Sequence, residues 1–336
     1  MFTYKEKSIL ITGGTGSLGQ AICKYILENH PEIKELVIFS RDERKHALME
    51  REYNPKKFSK IRYVIGDVRD KERLLRVFRG VDYVIHTAAM KDVHTAENNP
   101  DECIKTNIVG AQNVIEACIA TSVQRVVSLS TDKACAPISL YGATKLASDK
   151  LFIAANNIRT NHSVRFSVVR YGNMMGSNGS VVPFFLKRRQ EGLSLPITDP
   201  NMTRFNISLE SGVSMVMHAL HHAWGGEIFV PKLPSYRIMD VANAVCSECE
   251  KPIIGIRPGE KVHEEMISSS DSFYTFDLGV YYTILPANPV WDLENFIETF
   301  QAKKVKEGFS YNSGDNSEWE SVESLKSCLE NWVKGL

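Results

Sequence analysis

Six short apolar runs alternating with stretches of helical spacing constrain this chain more than any other feature. Ser8–Thr12, Glu35–Ser40, Ile61–Ile65, Asp82–Thr87, Arg125–Ser130 and Ser167–Arg170 are rich in Val and Ile and predict buried strands. Leu18–Asn29, Lys71–Phe78, Pro100–Ala120 and Ser139–Asn157 carry helical spacing between them. Strands separated by helices need right-handed crossovers, so the pattern predicts an α/β fold with a doubly wound parallel sheet. Past Gly172 the rhythm breaks, and Gly, Asn and Pro become frequent as far as Pro200. Residues 1–172 are therefore expected to form a nucleotide-binding domain and 173–336 a smaller lobe. A strand at 226–231 is expected to return to the main sheet, and the polar stretch Lys303–Ser317 precedes a last helix.

The length of 336 residues suits this arrangement. Lys and Arg total 40, as do Asp and Glu, so no net field favours nucleic acid or a membrane surface. An anionic substrate must instead be held by a few placed cations. The seven cysteines are odd in number and scattered, the usage of a reduced protein. The first residues lack a signal-peptide core, and no run of about 18 apolar residues occurs, so a cytoplasmic location is expected.

Ile9-Leu10-Ile11-Thr12 is followed by Gly13-Gly14-Thr15-Gly16-Ser17-Leu18-Gly19. Glycines at 13, 16 and 19, between a strand and a helix, permit a tight turn and close approach of a pyrophosphate to the helix N-terminus. The position at the first strand-to-helix turn makes this a dinucleotide site. The second strand ends Phe39-Ser40-Arg41, with no acidic residue for a ribose 2′-hydroxyl. The Ser40 hydroxyl and Arg41 guanidinium suit a 2′-phosphate, so NADP is expected. The competing reading makes Arg41 a solvated loop residue beside Asp42 and Glu43. Asp67 and Val68, after the third strand, are placed for the adenine edge.

The fifth strand closes in Ser130-Thr131-Asp132-Lys133, and Tyr141 and Lys145 stand four apart on the next helix, sharing one face. A tyrosine acting as a base near neutral pH needs about 4 kcal/mol of help. A cation about 5 Å away at an effective dielectric of about 20 supplies roughly 3 kcal/mol. An ordinary amphipathic pair is the plain alternative, but the glycine loop and the hydroxyl-bearing strand end argue against it. With these residues in hand the chain resembles an extended short-chain dehydrogenase/reductase over nearly its whole length.

Further segments sharpen the resemblance: Leu140–Leu151, Arg170-Tyr171-Gly172-Asn173, Pro196-Ile197-Thr198-Asp199, Met202-Thr203-Arg204-Phe205 and Gly255–Lys261. Together they are similar to the inverting, 5-epimerising UDP-N-acetylglucosamine 4,6-dehydratases that begin pseudaminic acid synthesis. A related branch acting at C3 lacks a tyrosine at the position of Tyr141. The resemblance implies a Rossmann-like fold, bound NADP with Ala88 and Ala89 among its contacts, a UDP-sugar partner and a homo-oligomer. It implies that Tyr141, aided by Lys145 and Thr131, takes the C4 hydroxyl proton as hydride leaves. Lys133, neutral, then removes the C5 proton, and Asp132, protonated, acidifies the departing C6 hydroxyl. Arg204 and Arg257 are expected at the diphosphate, with Lys91, Asn173, Thr198 and Glu260 as further substrate contacts. A salt bridge between Asp132 and Lys133 would move the proton roles elsewhere.

Five positions depart from the family pattern: Asp92 for histidine, His94 for proline, Ala136 for asparagine, Asn178 for arginine and Asn206 for tryptophan. They leave the proton-transfer residues intact and bear on sugar choice and subunit contacts. Two clusters carry no expected chemistry: the lone Cys246-Ser247-Glu248-Cys249, lacking a second ligand pair, and His218, His221 and His222 at helical spacing. No metal is expected. A 4-epimerase would use Tyr141 without Asp132 or Lys133, and an NADP-sensing regulator would need none of the acid–base set.

Overall fold

The computed structural model describes residues 2–121, 123–158, 164–176 and 180–334. The chain opens with β1 (Ser8–Thr12), α1 (Ser17–Asn29), β2 (Glu35–Ser40), α2 (Glu43–Glu52), β3 (Ile61–Ile65), α3 (Lys71–Val77) and β4 (Tyr83–His86). There follow α4 (Val93–Asn98), α5 (Pro100–Ile104), a π turn at Lys105–Val109, α6 (Gly110–Ala120), β5 (Arg125–Thr131), α7 (Leu140–Ala155) and β6 (Arg165–Tyr171). Hydrogen bonding orders these strands β3-β2-β1-β4-β5-β6, all parallel. Every residue of β1 is buried, which is why the run is apolar throughout instead of alternating. Asp42, Asp70 and Asp92 begin α2, α3 and α4, each accepting a backbone N–H three residues on. The departure at Asp92 is thus a helix cap.

The second half contains β7 (Asn173–Met174), α8 (Val181–Gln190), β8 (Thr203–Ile207), α9 (Leu209–His222), β9 (Ile228–Pro231), β10 (Ser235–Arg237) and α10 (Ile238–Val245). It ends with β11 (Glu265–Ile267), β12 (Thr275–Asp277), β13 (Tyr281–Ile284), α11 (Leu293–Phe300), β14 (Lys303–Lys304), β15 (Tyr311–Asn312) and α12 (Val322–Lys334). β9 pairs parallel to β6, and β13, β12 and β14 continue the sheet antiparallel. A single cut after residue 172 therefore does not separate the layers. The small lobe is assembled from separated segments: Val182 and Phe185 of α8, Val241 of α10 and Leu325 of α12 share a second apolar core with Leu195 and Ile197. The three-stranded sheet β10-β8-β7 joins this lobe to the end of β6.

Two details differ from the sequence expectation. The helix expected over 100–120 is interrupted by the π turn, which turns Asn107 inward. Its side chain accepts from the Met90 N–H at 2.8 Å and donates to the Met90 carbonyl at 2.9 Å and Thr144 Oγ1 at 3.0 Å. The loop after β4 is thereby tied to α7. Cys246 and Cys249, expected as free thiols, are joined in a disulfide, their Cα atoms 5.5 Å apart and within bridging range. It staples only the end of α10. His218 packs edge-on against Phe229 and beside Tyr281, an aromatic role. Among the described residues no group of three or more His, Cys, Asp or Glu is placed to hold a metal, and no helix is long and apolar enough to cross a membrane.

Candidate active site

A cleft of about 470 Å³ follows the carboxyl ends of β1 to β6, where an open α/β sheet places its ligands. One end is lined by Gly13, Thr15, Gly16, Ser17, Leu18 and Gly19 after β1, by Ser40 and Arg41 after β2, and by Asp67 and Val68 after β3. Ala88, Ala89 and Lys91 complete it after β4. Gly13 has φ +66°, and a Cβ there would lie 2.8 Å from the Ala88 backbone. The cradle thus exists because the loop lacks side chains, and it fits a pyrophosphate. Ser40 is buried, bonded to Thr15 Oγ1 at 2.8 Å and to His46 Nε2 at 3.2 Å. Arg41 is exposed, and Lys45, which the sequence reading passed over, lines the same corner. Burial pushes the Asp67 carboxyl upward, but hydrogen bonds from Arg69 outweigh this and hold it below the ordinary range. Burial and the neighbouring Lys45 lower the proton affinity of Lys91.

At the other end the cleft meets Ser130, Thr131, Asp132 and Lys133 at the close of β5, Tyr141 on α7, and Asn173 beyond β6. Asp132–Ala134 is a single 3₁₀ turn, begun by Thr131, whose hydroxyl accepts the Lys133 N–H. α7 starts beside it, capped by Ser139. A Cβ on Gly142 would sit 2.1 Å from the Lys133 carbonyl oxygen, so only glycine lets Tyr141 approach the turn this closely. The Thr131 hydroxyl donates to Asp132 Oδ1 at 2.9 Å, and Lys133 Nζ lies 3.0 Å from the same oxygen.

Asp132 and Lys133 thus form the salt bridge that the sequence left open, with a charged lysine in place of the expected neutral one. Lys133 Nζ also meets Glu264 Oε1 at 2.9 Å. Burial alone would lower its proton affinity, yet Asp132 and Glu264 outweigh burial and push it above the ordinary lysine value. Asp132 does move as expected: burial raises it, against the opposing pull of Lys133. Tyr141 moves opposite to the expected lowering: burial raises it, with a hydrogen bond to Thr131 acting downward. Lys145, nearly fully buried, is lowered by burial while Asp149 opposes. Asp149, one further turn along α7, accepts from Ser130 Oγ at 2.7 Å and pairs with buried Arg170 at 3.5 Å.

The remaining substrate-side residues lie outside the cleft lining. Thr198 is buried and donates to Met202 Sδ. Arg204 is buried, donating to the Thr203 and Val262 carbonyls and standing 3.7 Å from Glu264. Arg257 is 69% exposed and paired with Glu260 at 2.6 Å, the surface-pair arrangement. Among the departures, Ala136 has φ +41°, a region where asparagine is at home, and the buried Asn206 donates to Glu320 at 2.9 Å. His94 accepts through its carbonyl from Asn98 on exposed α4. Asn178 lies outside the described residues. Glu264, Lys45 and Gly142 were missed in the sequence; Glu264, three residues past Gly255–Lys261, had only that proximity as a signal.

Residues 9–286 match the model of a family described as polysaccharide biosynthesis protein. The chain belongs to this family. It is 54% identical over 327 residues to the UDP-N-acetylglucosamine 4,6-dehydratase (inverting) of Campylobacter jejuni subsp. jejuni serotype O:2, covering 96% of this chain and 97% of that protein. It is 43% identical over 288 residues to the UDP-glucose 4-epimerase of Rickettsia canadensis, 84% of this chain and 83% of that one. The crystal structure of Pen from Bacillus thuringiensis superimposes with a TM-score of 0.88 at 34% identity, covering 98% of this chain and 99% of Pen. The family assignment agrees with the extended short-chain dehydrogenase resemblance and with the doubly wound sheet.

Proposed function

We propose that this member of the family is an inverting UDP-N-acetylglucosamine 4,6-dehydratase using NADP. One observation carries the reading beyond family likeness. Asp132 and Lys133, an acid and a base, line the cleft beside Tyr141. A 4-epimerase has no use for that second pair. The 54% identity to the Campylobacter dehydratase, against 43% to the Rickettsia epimerase, supports the same choice.

Gly13 to Gly19 cradle the dinucleotide pyrophosphate, with Ala88 and Ala89 behind it. Ser40, Arg41 and Lys45 hold the 2′-phosphate, and Asp67 and Val68 face the adenine. When bound, the nicotinamide would supply the acceptor, and in turn the donor, of the hydride. Tyr141 takes the proton of the C4 hydroxyl, with Thr131 hydrogen-bonded to its oxygen and Lys145 on the same helix face. Lys91 and Asn173 meet the nucleotide sugar. Arg204 is committed to carbonyls and Glu264, so Arg257 is the arginine of the expected pair that stays exposed enough for the diphosphate.

The salt bridge of Asp132 and Lys133 leaves the proton roles with this pair, because moving one proton within it gives the state needed for elimination. Its transfer from Nζ to Oδ1, atoms 3.0 Å apart, turns ammonium and carboxylate into amine and carboxylic acid without changing the net charge. The Lys133 nitrogen then uses its freed electron pair to take the C5 proton. Asp132 gives its proton to the C6 oxygen as the C6–O bond breaks and water leaves. Both groups return to the original ion pair. The experiment that tests this function is incubation with UDP-N-acetylglucosamine and NMR of the products. A 6-deoxy-4-keto sugar inverted at C5 is expected, with no NADPH accumulating. A 4-epimer, or NADPH rising in step with product, contradicts it.

A further inference from the structure

Glu264 has no place in the chemistry described so far, yet it is almost completely buried and touches the base of that chemistry. It arrives from the loop before β11, far from Lys133 in the chain. Its backbone is fixed first: the Glu264 N–H donates to Ser313 Oγ at 2.9 Å, and the Ser313 N–H donates to the Glu264 carbonyl at 2.8 Å. Ser313 Oγ in turn lies 2.7 Å from Thr203 Oγ1. Three segments, 203–204, 262–264 and 312–313, thus aim one carboxylate at the turn after β5. Oε1 lies 2.9 Å from Lys133 Nζ and 3.7 Å from Arg204 Nε, while buried Oε2 has no hydrogen-bond partner. Glu264 does not line the cleft, so it acts through Lys133.

A buried carboxylate is costly unless paired, and here the count is balanced. Asp132 and Glu264 carry two negative charges, and Lys133 and Arg204 two positive ones. If the proton of Lys133 passes to Asp132, the pair becomes neutral and Glu264 keeps Arg204 as its partner. Glu264 therefore leaves a stable cluster on both sides of the proton shift. Other groups facing the cluster are Tyr236 of β10, near Lys133, Tyr141 of α7 and Tyr171 of β6, near Asp132, and Lys261, near Glu264.

We propose that Glu264 is a positioning residue for Lys133: it holds the amine at the cleft and sets the pH at which the Asp132–Lys133 pair loses its last proton. The catalytic meaning rests on the dehydratase reading; the effect on Lys133 does not. Removing the charge of Glu264 makes the ammonium easier to deprotonate. An opposite charge this close commonly moves a proton affinity by about 1–3 pH units. In Glu264→Gln the alkaline limb of turnover therefore falls to lower pH by about that amount, whereas a scaffold defect would lower the rate at every pH without moving the limb.

The direct test is independent of turnover. Acetic anhydride labels neutral amines, and mass spectrometry of the folded protein from pH 7 to 11 reads the labelling of Lys133 against the exposed Lys57. The labelling midpoint of Lys133 is expected to fall by about 1–3 pH units in Glu264→Gln and by less in Glu264→Asp, whose shorter side chain keeps the charge but draws it back. Should Glu264→Gln not fold, Glu264→Asp carries the test. An unchanged midpoint in a folded variant overturns the proposal. A lowered midpoint in an enzyme that makes no 4-keto sugar leaves the role of Glu264 standing and refutes the dehydratase reading instead.

Discussion

At the dinucleotide end of the cleft the lining is mostly backbone and small side chains, delivered by consecutive strand-to-helix turns. At the sugar end it is the side chains of Thr131, Asp132, Lys133 and Tyr141 from β5, the turn after it and α7, backed by charged groups of β8 and the loop before β11 that do not line the cleft. The first end is shaped by what is missing, the Cβ atoms at Gly13 and its neighbours, and its charged groups, Arg41, Asp42, Lys45, Asp67 and Lys91, stand around that cradle. The second concentrates two carboxylates and two cations, where each proton affinity depends on the others. A site that only binds a cofactor tolerates local variation, whereas a site that moves protons depends on distances between remote segments. Substitutions should therefore be more damaging where the two ends are pinned together than at either rim.

The largest effect is expected at Gly142, the point of contact between α7 and the catalytic turn. In Gly142→Ala the added Cβ collides with the Lys133 carbonyl, and either Tyr141 or the turn must move. Overpacking of this kind costs about 1–3 kcal/mol in stability. A displacement of the reacting groups costs on the order of 100-fold in turnover. Chemical denaturation and kcat measure both, and a variant with wild-type kcat would show that the contact does not set the geometry. Arg41→Asp tests the other end. Losing a charged contact to the 2′-phosphate is worth about 1.5–3 kcal/mol, so NADP affinity should fall tenfold or more relative to NAD. Equal affinities before and after the change would make Arg41 a solvated loop residue.

The contrast also explains what could be read from the chain. The strands β1 and β2 begin and end where the apolar runs do, because burial along all or nearly all of their length leaves an uninterrupted signal. The glycine loop was legible for the same local reason. The return of β9 to the sheet was legible as well, but β12–β14 join it through contacts that periodicity does not encode, so the boundary after residue 172 was not a clean one. The π turn at Lys105–Val109 is invisible to a pattern of period 3.6. Asp132 and Lys133 could be chosen from the sequence because they adjoin the end of β5. Glu264 could not, because its meaning comes from a partner 2.9 Å away in space and far away in the chain. For the same reason the charge expected on Lys133 was misjudged.

The smallest effect belongs to a departure at the rim. Ala136 occupies left-handed backbone at φ +41°, which costs a residue with a Cβ on the order of 1 kcal/mol and suits asparagine better. Ala136→Asn should raise stability by up to about that amount with little change in turnover. A denaturant titration that shows no gain would mean that the strain is relieved elsewhere.

The central claim, that Lys133 handles the C5 proton while Tyr141 handles the C4 hydroxyl, is tested most directly by solvent deuterium. In deuterated water, with UDP-N-acetylglucosamine as substrate, the wild-type protein is expected to place deuterium at C5 of a 6-deoxy-4-keto sugar. Lys133→Met should lose that incorporation by about 10²- to 10⁴-fold, the usual contribution of a general base, while C4 oxidation remains observable as transient NADPH absorbance. Deuterium entering C5 of the Lys133→Met product at a near-normal rate would contradict the account and make another residue the base.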